Sequence, residues 1–517
     1  MKFNQEDITQ IENHGITENK VKEQLEIFHR GNLPVNIQAA ATTGEGIFEF
    51  SSEERQNLTR YYDDRKNDLT VIKFVPASGA ATRMFKALHA FLSDFDPGKE
   101  SLSAYLNRTE NKNLAAFFKG IEKLPFYDQA LHYARECQPG FDSLNAEARK
   151  FTLLQTMLFS PGLDLGNYPK GLVPFHNYND HIATAFEEHL NEAAGYAEVN
   201  GIAKIHFTIS KEHKEKFQAE FDRIRSRVET LHQVKFEISF SYQDPKTDTI
   251  AVDNNNEPFR TEDGKLFFRP GGHGALIENL NSLEADIVFI KNIDNVVTTQ
   301  KVREMADYKK MLAGKLLQLQ EKCFSYLMLL EERKALVHEI TEIKKFVEEE
   351  LFSIFAPGFE SLTNERKVQH LQNRLNSPIR VCGMVKNEGE PGGGPFLVNH
   401  DDDTRSLQII EGAQIDDKDL QQKEIAQNAT HFNPVDIVCG IKNYKGEAFD
   451  LTHYVDPTAS FIAEKTLEGR PLKALELPGL WNGAMAKWNT VFIEVPVSTF
   501  NPVKTVTDLL KPSHQTN

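Results

Sequence analysis

The hydrophobic pattern changes character several times along the chain. Residues 1–68 read as helical and polar, punctuated by Thr43-Gly44-Glu45-Gly46. Val71, Ile72, Phe74 and Val75 then form a nearly continuous apolar run, the pattern of a strand buried on both faces. The small residues Pro76-Ala77-Ser78-Gly79-Ala80-Ala81 follow, and Met84, Leu88, Phe91 and Leu92 recur at helical spacing. Strand, small-residue loop and helix make one unit, and similar units recur. Ile182, Phe186, Leu190 and Ala194 predict a helix that stops before Gly201. Ile205, Phe207 and Ile209 alternate as a strand, and residues 211–231 form a charged helix. Phe236, Ile238 and Phe240 predict another strand, and residues 286–290 again read as a buried one. Strands alternating with helices predict an α/β, doubly wound sheet.

Residues 300–375 break the alternation. Leu316, Leu319, Cys323, Leu327 and Leu330, then Ile340, Ile343, Val347 and Leu351, recur at spacings of three or four. This predicts one long helix or a helical pair whose apolar stripe packs on a core. Strand character returns at residues 380–385 and 396–398, read as a hairpin around Gly392-Gly393-Gly394, and again at residues 490–495. The expected organisation is therefore a helical region 1–68, an α/β core 69–299, a helical insertion 300–375, and a segment 376–517 that completes the core.

Composition narrows the function classes. The chain has 517 residues, 40% hydrophobic and 26% charged, which is ordinary globular usage. Length alone predicts about three to four domain-sized units. A net charge of −16 argues against a nucleic-acid partner, which needs a basic footprint. The first residues lack an apolar signal region, and no run approaches the roughly 18 apolar residues of a membrane span. Cys137, Cys323, Cys382 and Cys439 are far apart, without zinc or redox spacing. A cytoplasmic setting with reduced thiols is the expectation.

Five segments carry candidate chemistry. Residues 76–84, PASGAATRM, follow a strand and open a helix, where small residues let backbone N–H groups approach an anion and Arg83 supplies a cation. Residues 168–176 hold Lys170 on a short loop between Pro169 and Gly171. Residues 269–276 set His273 among Gly271, Gly272 and Gly274. Asn292-Ile293-Asp294-Asn295 follows a buried strand, where an aspartate is placed to hold Mg²⁺ against phosphates. Phe500-Asn501-Pro502-Val503-Lys504-Thr505 adds a late lysine. Taken singly, each is also an ordinary turn, cap or surface residue.

Taken in order, these segments resemble the nucleotide-sugar pyrophosphorylases, above all the UDP-sugar type. Residues 75–84 are similar to the family's Leu-x-Gly-Gly-x-Gly-Thr-Arg-Leu loop, with Gly79, Thr82 and Arg83 matching. Pro169-Lys170 resembles its Pro-Lys, and residues 240–245, with Gln243, its Phe-x-Gln segment. Residues 270–274 resemble the turn that faces uracil and sugar, and residues 290–295 the Val-x-Asn-x-Asp-Asn metal motif. EVPVSTFNPVKTVTDLL, residues 494–510, is close to the Val-Pro-Arg…Phe-x-Pro-Val-Lys…Asp-Leu-Leu segment, with Lys504 and Asp508 matching. Residues 1–65, 90–165 and 300–375 have no counterpart in it. The chain as a whole resembles the bacterial DUF4301 type.

The resemblance implies a Rossmann-like GT-A nucleotidyltransferase core with a mainly parallel mixed sheet. It implies an enzyme that converts nucleoside triphosphate and sugar-1-phosphate to nucleotide sugar and pyrophosphate with Mg²⁺. Arg83 and the backbone of Ala77, Ser78, Gly79, Ala80, Ala81 and Thr82 would hold phosphates. Lys170 and Lys504 would steady the sugar phosphate, Gln243, Gly271, Gly272 and His273 would shape the base and sugar pocket, and Asp294 would hold the metal. The chain departs at Ser78 and Ala81, where the family has glycines, and at Val497 and Ser498, where it has arginines. These departures keep open a non-catalytic nucleotide or sugar-phosphate binder. A glycosyltransferase ranks lower, because Asn292-Ile293-Asp294 lacks the first carboxylate of a DxD pair.

Overall fold

The computed structural model describes residues 3–332, 334–390, 392–416 and 418–516. The chain is α/β and divides into two compact units.

The first unit comprises Met1–Phe74, Ser241–Ile290 and Tyr308–Thr499. Its core is a mixed sheet in the order Thr42–Thr43, Gly46–Phe48, Asn489–Glu494, Ile379–Met384, Asp436–Gly440, Ile287–Ile290, Val71–Pro76. Neighbours run parallel except around Asp436–Gly440, which is antiparallel to both strands beside it. The apolar runs at residues 71–75, 286–290 and 490–495 are therefore strands, as their pattern predicts. One face buries Phe74, Val288, Ile290, Cys382, Met384, Ile437, Phe492 and Trp488. The Val302–Glu332 helix, which begins in the other unit, buries Leu312, Leu316, Leu319 and Cys323. A Cβ on Gly440 would lie 2.2 Å from Gln320 Nε2, and one on Gly383 3.2 Å from a Leu312 methyl, so the helix seats directly on glycines of the sheet. The apolar stripe of residues 316–330 is a packing stripe.

The N-terminal stretch holds the helices Gln5–Asn13 and Glu18–Arg30, started by Asn4 and Thr17 caps, and also three short strands between Ile37 and Phe48. The two helices pack Ile11, Val21, Leu25 and Phe28 on Ile250, Val252 and Leu475 of a second, four-stranded sheet. The expected hairpin around Gly392–Gly394 does not form. Ile379–Met384 lies in the main sheet, whereas Gly394–Asn399 pairs with Ile37–Ala40 and Arg405–Ile410 in a third sheet. The glycines mark a crossing between sheets, where a Cβ on Gly393 would meet the Ile410 carbonyl at 2.3 Å.

The second unit comprises Val75–Phe240, Lys291–Asp307 and Phe500–Asn517. Its strand Ile202–Thr208 pairs with Glu198–Val199 and Lys235–Ser241. Gly201, at φ +81°, makes the turn before Ile202–Thr208; the preceding helix already ends at Tyr196. Five helices lie between Lys86 and Leu158, and the first three pack through aromatic contacts among Phe91, Phe95, Tyr105 and Phe118. The Ala185–Tyr196 helix is unusual: Glu187, Glu188, His189, Asn191 and Glu192 are all at most 2% exposed. Buried charges need partners, and these find them. Glu192 meets Lys291 at 2.5 Å, His189 Nε2 meets the Ile293 carbonyl at 3.1 Å, and Arg227 meets Glu187 at 2.5 Å.

Candidate functional site

Within the second unit, four sequence-distant loops are tied edge to edge by backbone hydrogen bonds. The Ala77 N–H donates to the Thr208 carbonyl, which carries the chain out of the Val71–Pro76 strand. The Ala81 N–H donates to the Tyr168 carbonyl at 3.0 Å, and the Lys170 N–H to the Gly79 carbonyl at 3.0 Å. The small-residue loop and the Pro-Lys loop thus lie against each other. The Val503 N–H donates to the Asp294 carbonyl at 3.0 Å, and the Val506 N–H to the Met84 carbonyl at 3.1 Å. Asn295 Oδ1 accepts the Asn501 N–H at 2.8 Å.

Lys170, Asp294 and Lys504 converge. Lys170 Nζ lies 2.7 Å from Asp294 Oδ2 and Lys504 Nζ 3.4 Å from the same oxygen. The partners are unequal: the Lys170 and Asp294 side chains are 14% and 10% exposed, the Lys504 side chain 61%. Burial pushes the Asp294 carboxyl up, but the two ammonium groups outweigh it and hold it below the usual carboxylate range. Burial lowers the Lys170 ammonium, and Asp294 only partly restores it. Two cations against one anion leave a positive surplus, carried by the exposed Lys504. Asp508 anchors that lysine by accepting the Lys504 and Thr505 N–H groups at 2.9 and 2.7 Å, so it acts as a cap.

The loop itself offers an open edge. Gly79, Ala80, Thr82 and Arg83 are exposed, Ser78 is half-buried, and Ala77 and Ala81 are buried. A Cβ on Gly79 would meet nothing within 4 Å, and its φ is not left-handed. Neither packing nor backbone strain therefore demands glycine at this position. Arg83 makes no ion pair among the described residues.

Gln243, Gly271, Gly272 and His273 belong to the first unit. Gln243 Nε2 donates to the Gly272 carbonyl at 3.1 Å, and His273 sets its exposed ring edge-on to Trp481 at 5.4 Å. Here the glycines have reasons internal to the fold. A Cβ on Gly271 would lie 2.5 Å from the Thr247 carbonyl, one on Gly274 2.3 Å from Leu477, and Gly272 sits at φ +58°. Arg380 is also in this unit, wholly buried and donating to Thr490 Oγ1 at 2.8 Å.

No group of three His, Cys, Asp or Glu side chains among the described residues is arranged to hold a metal. Asp294 offers one carboxylate, which fits a Mg²⁺ whose remaining ligands are substrate phosphates and water. The helix Ala185–Tyr196 forms where the apolar spacing predicts one, but the spacing gives no sign that its charged residues are buried and fix Lys291 and Ile293 on the approach to Asp294. Its signal is a dense Glu187-Glu188-His189 run with Glu192 beside an apolar stripe, which looks like a solvated face.

Among the described residues, no helix is long and apolar enough to cross a membrane. No curated protein matches the sequence. Solved structures are similar at low identity, two pyrophosphorylases among them. One is the uridine diphosphate N-acetylglucosamine pyrophosphorylase from Trypanosoma brucei in complex with an inhibitor, at 13% identity and TM-score 0.45, covering 95% of this chain and 74% of that one. The other is a mutant UDP-glucose pyrophosphorylase from Leishmania major with UDP-glucose, at 11% identity and TM-score 0.41, covering 98% and 78%. Residues 4–515 match the family model described as "Domain of unknown function (DUF4301)", and the chain belongs to that family.

Proposed function

We propose that the protein is a sugar-1-phosphate nucleotidyltransferase of the UDP-sugar pyrophosphorylase kind. One observation carries the reading. Lys170 and Lys504, separated from Asp294 by 124 and 210 residues in sequence, meet on its one carboxylate beside an exposed small-residue loop. Such a centre suits a reaction that passes negative charge between phosphates. The sugar-phosphate oxygen forms a bond to the α-phosphorus of the triphosphate, the bond from that phosphorus to the bridging oxygen breaks in line, and pyrophosphate leaves with the electron pair. No protein nucleophile is needed; the work is positioning and charge neutralisation.

Lys504, the more exposed of the two lysines, steadies the attacking phosphate and the developing charge. Lys170 keeps Asp294 oriented and shares its proton donors with the phosphates. Arg83 and the exposed edge at Gly79 and Ala80 receive the outer phosphates. Asp294 would hold Mg²⁺, which when bound would supply charge neutralisation for the phosphates. The test is a pyrophosphate-release screen of nucleoside triphosphates against sugar-1-phosphates with Mg²⁺. Release above the protein-free rate for at least one pair supports the assignment, and none across the panel with folded protein defeats it.

A second reading, a non-catalytic nucleotide or sugar-phosphate binder, has its own observation. The Ala81 N–H, at a loop position where the pyrophosphorylases have glycine, is taken up by the Tyr168 carbonyl. Ligand-induced thermal stabilisation without pyrophosphate release would favour it.

A further inference from the structure

Residues 500–516 form a C-terminal strap in the second unit, and this strap carries Lys504. Besides the hydrogen bonds at Asn501, Val503 and Val506, it is held by the Thr298 N–H on the Ser513 carbonyl and by Lys301 Nζ on the Pro512 carbonyl at 3.0 Å. Its deepest anchor is His514, 1% exposed. His514 Nδ1 lies 2.9 Å from Nε2 of His176, and the rings stack at 5.2 Å. His176 Nδ1 lies 2.7 Å from Glu188 Oε1 on the buried helix. Tyr178 donates to the same oxygen at 2.8 Å and Asn191 to the other at 3.0 Å.

A carboxylate only accepts, so with both rings neutral the proton order is fixed. His176 Nδ1–H donates to Glu188, His514 Nδ1–H donates to His176, and His514 Nε2 keeps a lone pair. That Nε2 is buried without a hydrogen-bond partner among the described residues. A proton added there would place a cation against His176 in a buried site.

We propose that the Glu188–His176–His514 relay is a proton-operated latch that docks the strap and thereby holds Lys504 at Asp294. The groups around the ring pair are Glu188, Tyr178, Asp508 and Lys511. Burial and then His176 lower the His514 imidazole to about 3, while Asp508 and the Asn501 backbone oppose the shift and Lys511 adds to it. In the undocked strap the ring titrates near its ordinary value of about 6.5. The sign follows: the undocked form binds the extra proton, so docking is complete above that value and weakens as pH falls below it. The docking constant drops about tenfold per pH unit from about 6.5 towards 3.

The consequence for turnover rests on the role given to Lys504 above, but docking itself is read without substrate. Hydrogen exchange of the full chain, corrected for intrinsic rate, measures protection of the Val503 and Val506 amides between about pH 7.5 and about pH 5. In the wild type, protection should fall about tenfold per unit below about pH 6.5. It should be flat with pH in His514→Gln, which keeps a neutral donor, and in His514→Phe, while amides of the Ile379–Met384 strand keep their protection in all three. A flat wild-type profile, the same slope in both variants, or parallel loss at the Ile379–Met384 strand would each overturn the latch.

Discussion

Lys170→Met removes one ammonium from the buried centre while keeping the bulk of its stem. The Lys170–Asp294 contact is 2.7 Å between side chains 14% and 10% exposed. At an effective dielectric of about 20, a pair at that separation attracts by about 6 kcal/mol, of which desolvation offsets a large part. The remaining cation, Lys504, stands at 3.4 Å with a side chain 61% exposed. Water screens that attraction to about 1 kcal/mol, so Lys504 compensates only weakly. Breaking a buried pair from one side costs about 3–5 kcal/mol, and the expected loss here is about 3. Native-state hydrogen exchange at the Asn295 amide, which bonds the Asn292 carbonyl in the same loop, reads it as about a hundredfold loss of protection. Lys504→Met should change that protection by less than about tenfold. Adding Asp294→Asn to Lys170→Met should recover part of the loss, because the orphaned charge is gone. A loss in Lys504→Met equal to that in Lys170→Met, or a double variant that loses the sum of the single ones, would contradict a buried Lys170–Asp294 pair that Lys504 only weakly supports.

Two glycine substitutions separate ligand approach from packing. Gly79→Ala should leave the melting temperature within about a degree, since its effect on stability stays inside about 0.5 kcal/mol, while it weakens nucleotide binding measured by calorimetry; an unchanged affinity would remove the loop from the site. Gly314→Ala is the opposite case: its Cβ would lie 2.0 Å from the Leu58 carbonyl oxygen, so it should destabilise the first unit by about 3 kcal/mol in urea unfolding followed by tryptophan fluorescence. Both tryptophans, Trp481 and Trp488, lie in that unit, and a wild-type midpoint would contradict the helix seating.

Much of the main sheet is legible in the sequence because strands buried on both faces leave continuous apolar runs. Val71–Pro76, Ile287–Ile290 and Asn489–Glu494 all do so. The loops bearing Lys170, Asp294 and Lys504 are legible as motifs, but their meeting on one oxygen is not, because no local pattern encodes a contact across 210 residues. Short strands such as Thr42–Thr43 have too few positions to show a period. The glycines at 392–394 look like a hairpin turn, yet they serve close packing between sheets, and sequence cannot distinguish the two uses of a missing side chain. The Ala185–Tyr196 helix is legible in its apolar spacing, but the burial of its charged residues is not. Glu188 and Glu192 are buried only because His176 and Lys291 arrive from elsewhere in the chain. Without those partners the same residues belong on a solvated face.

The central claim is that Lys170, Asp294 and Lys504 form the phosphate-transfer centre of a nucleotidyltransferase. The most direct measurement is pyrophosphate release by wild type and Lys504→Ala, each checked for intact folding, across triphosphates and sugar-1-phosphates with Mg²⁺. The account predicts turnover by the wild type with at least one pair, and loss of most of it, at least about a hundredfold, in the variant. Near-wild-type release by folded Lys504→Ala, or no release by the wild type with any pair, would contradict it.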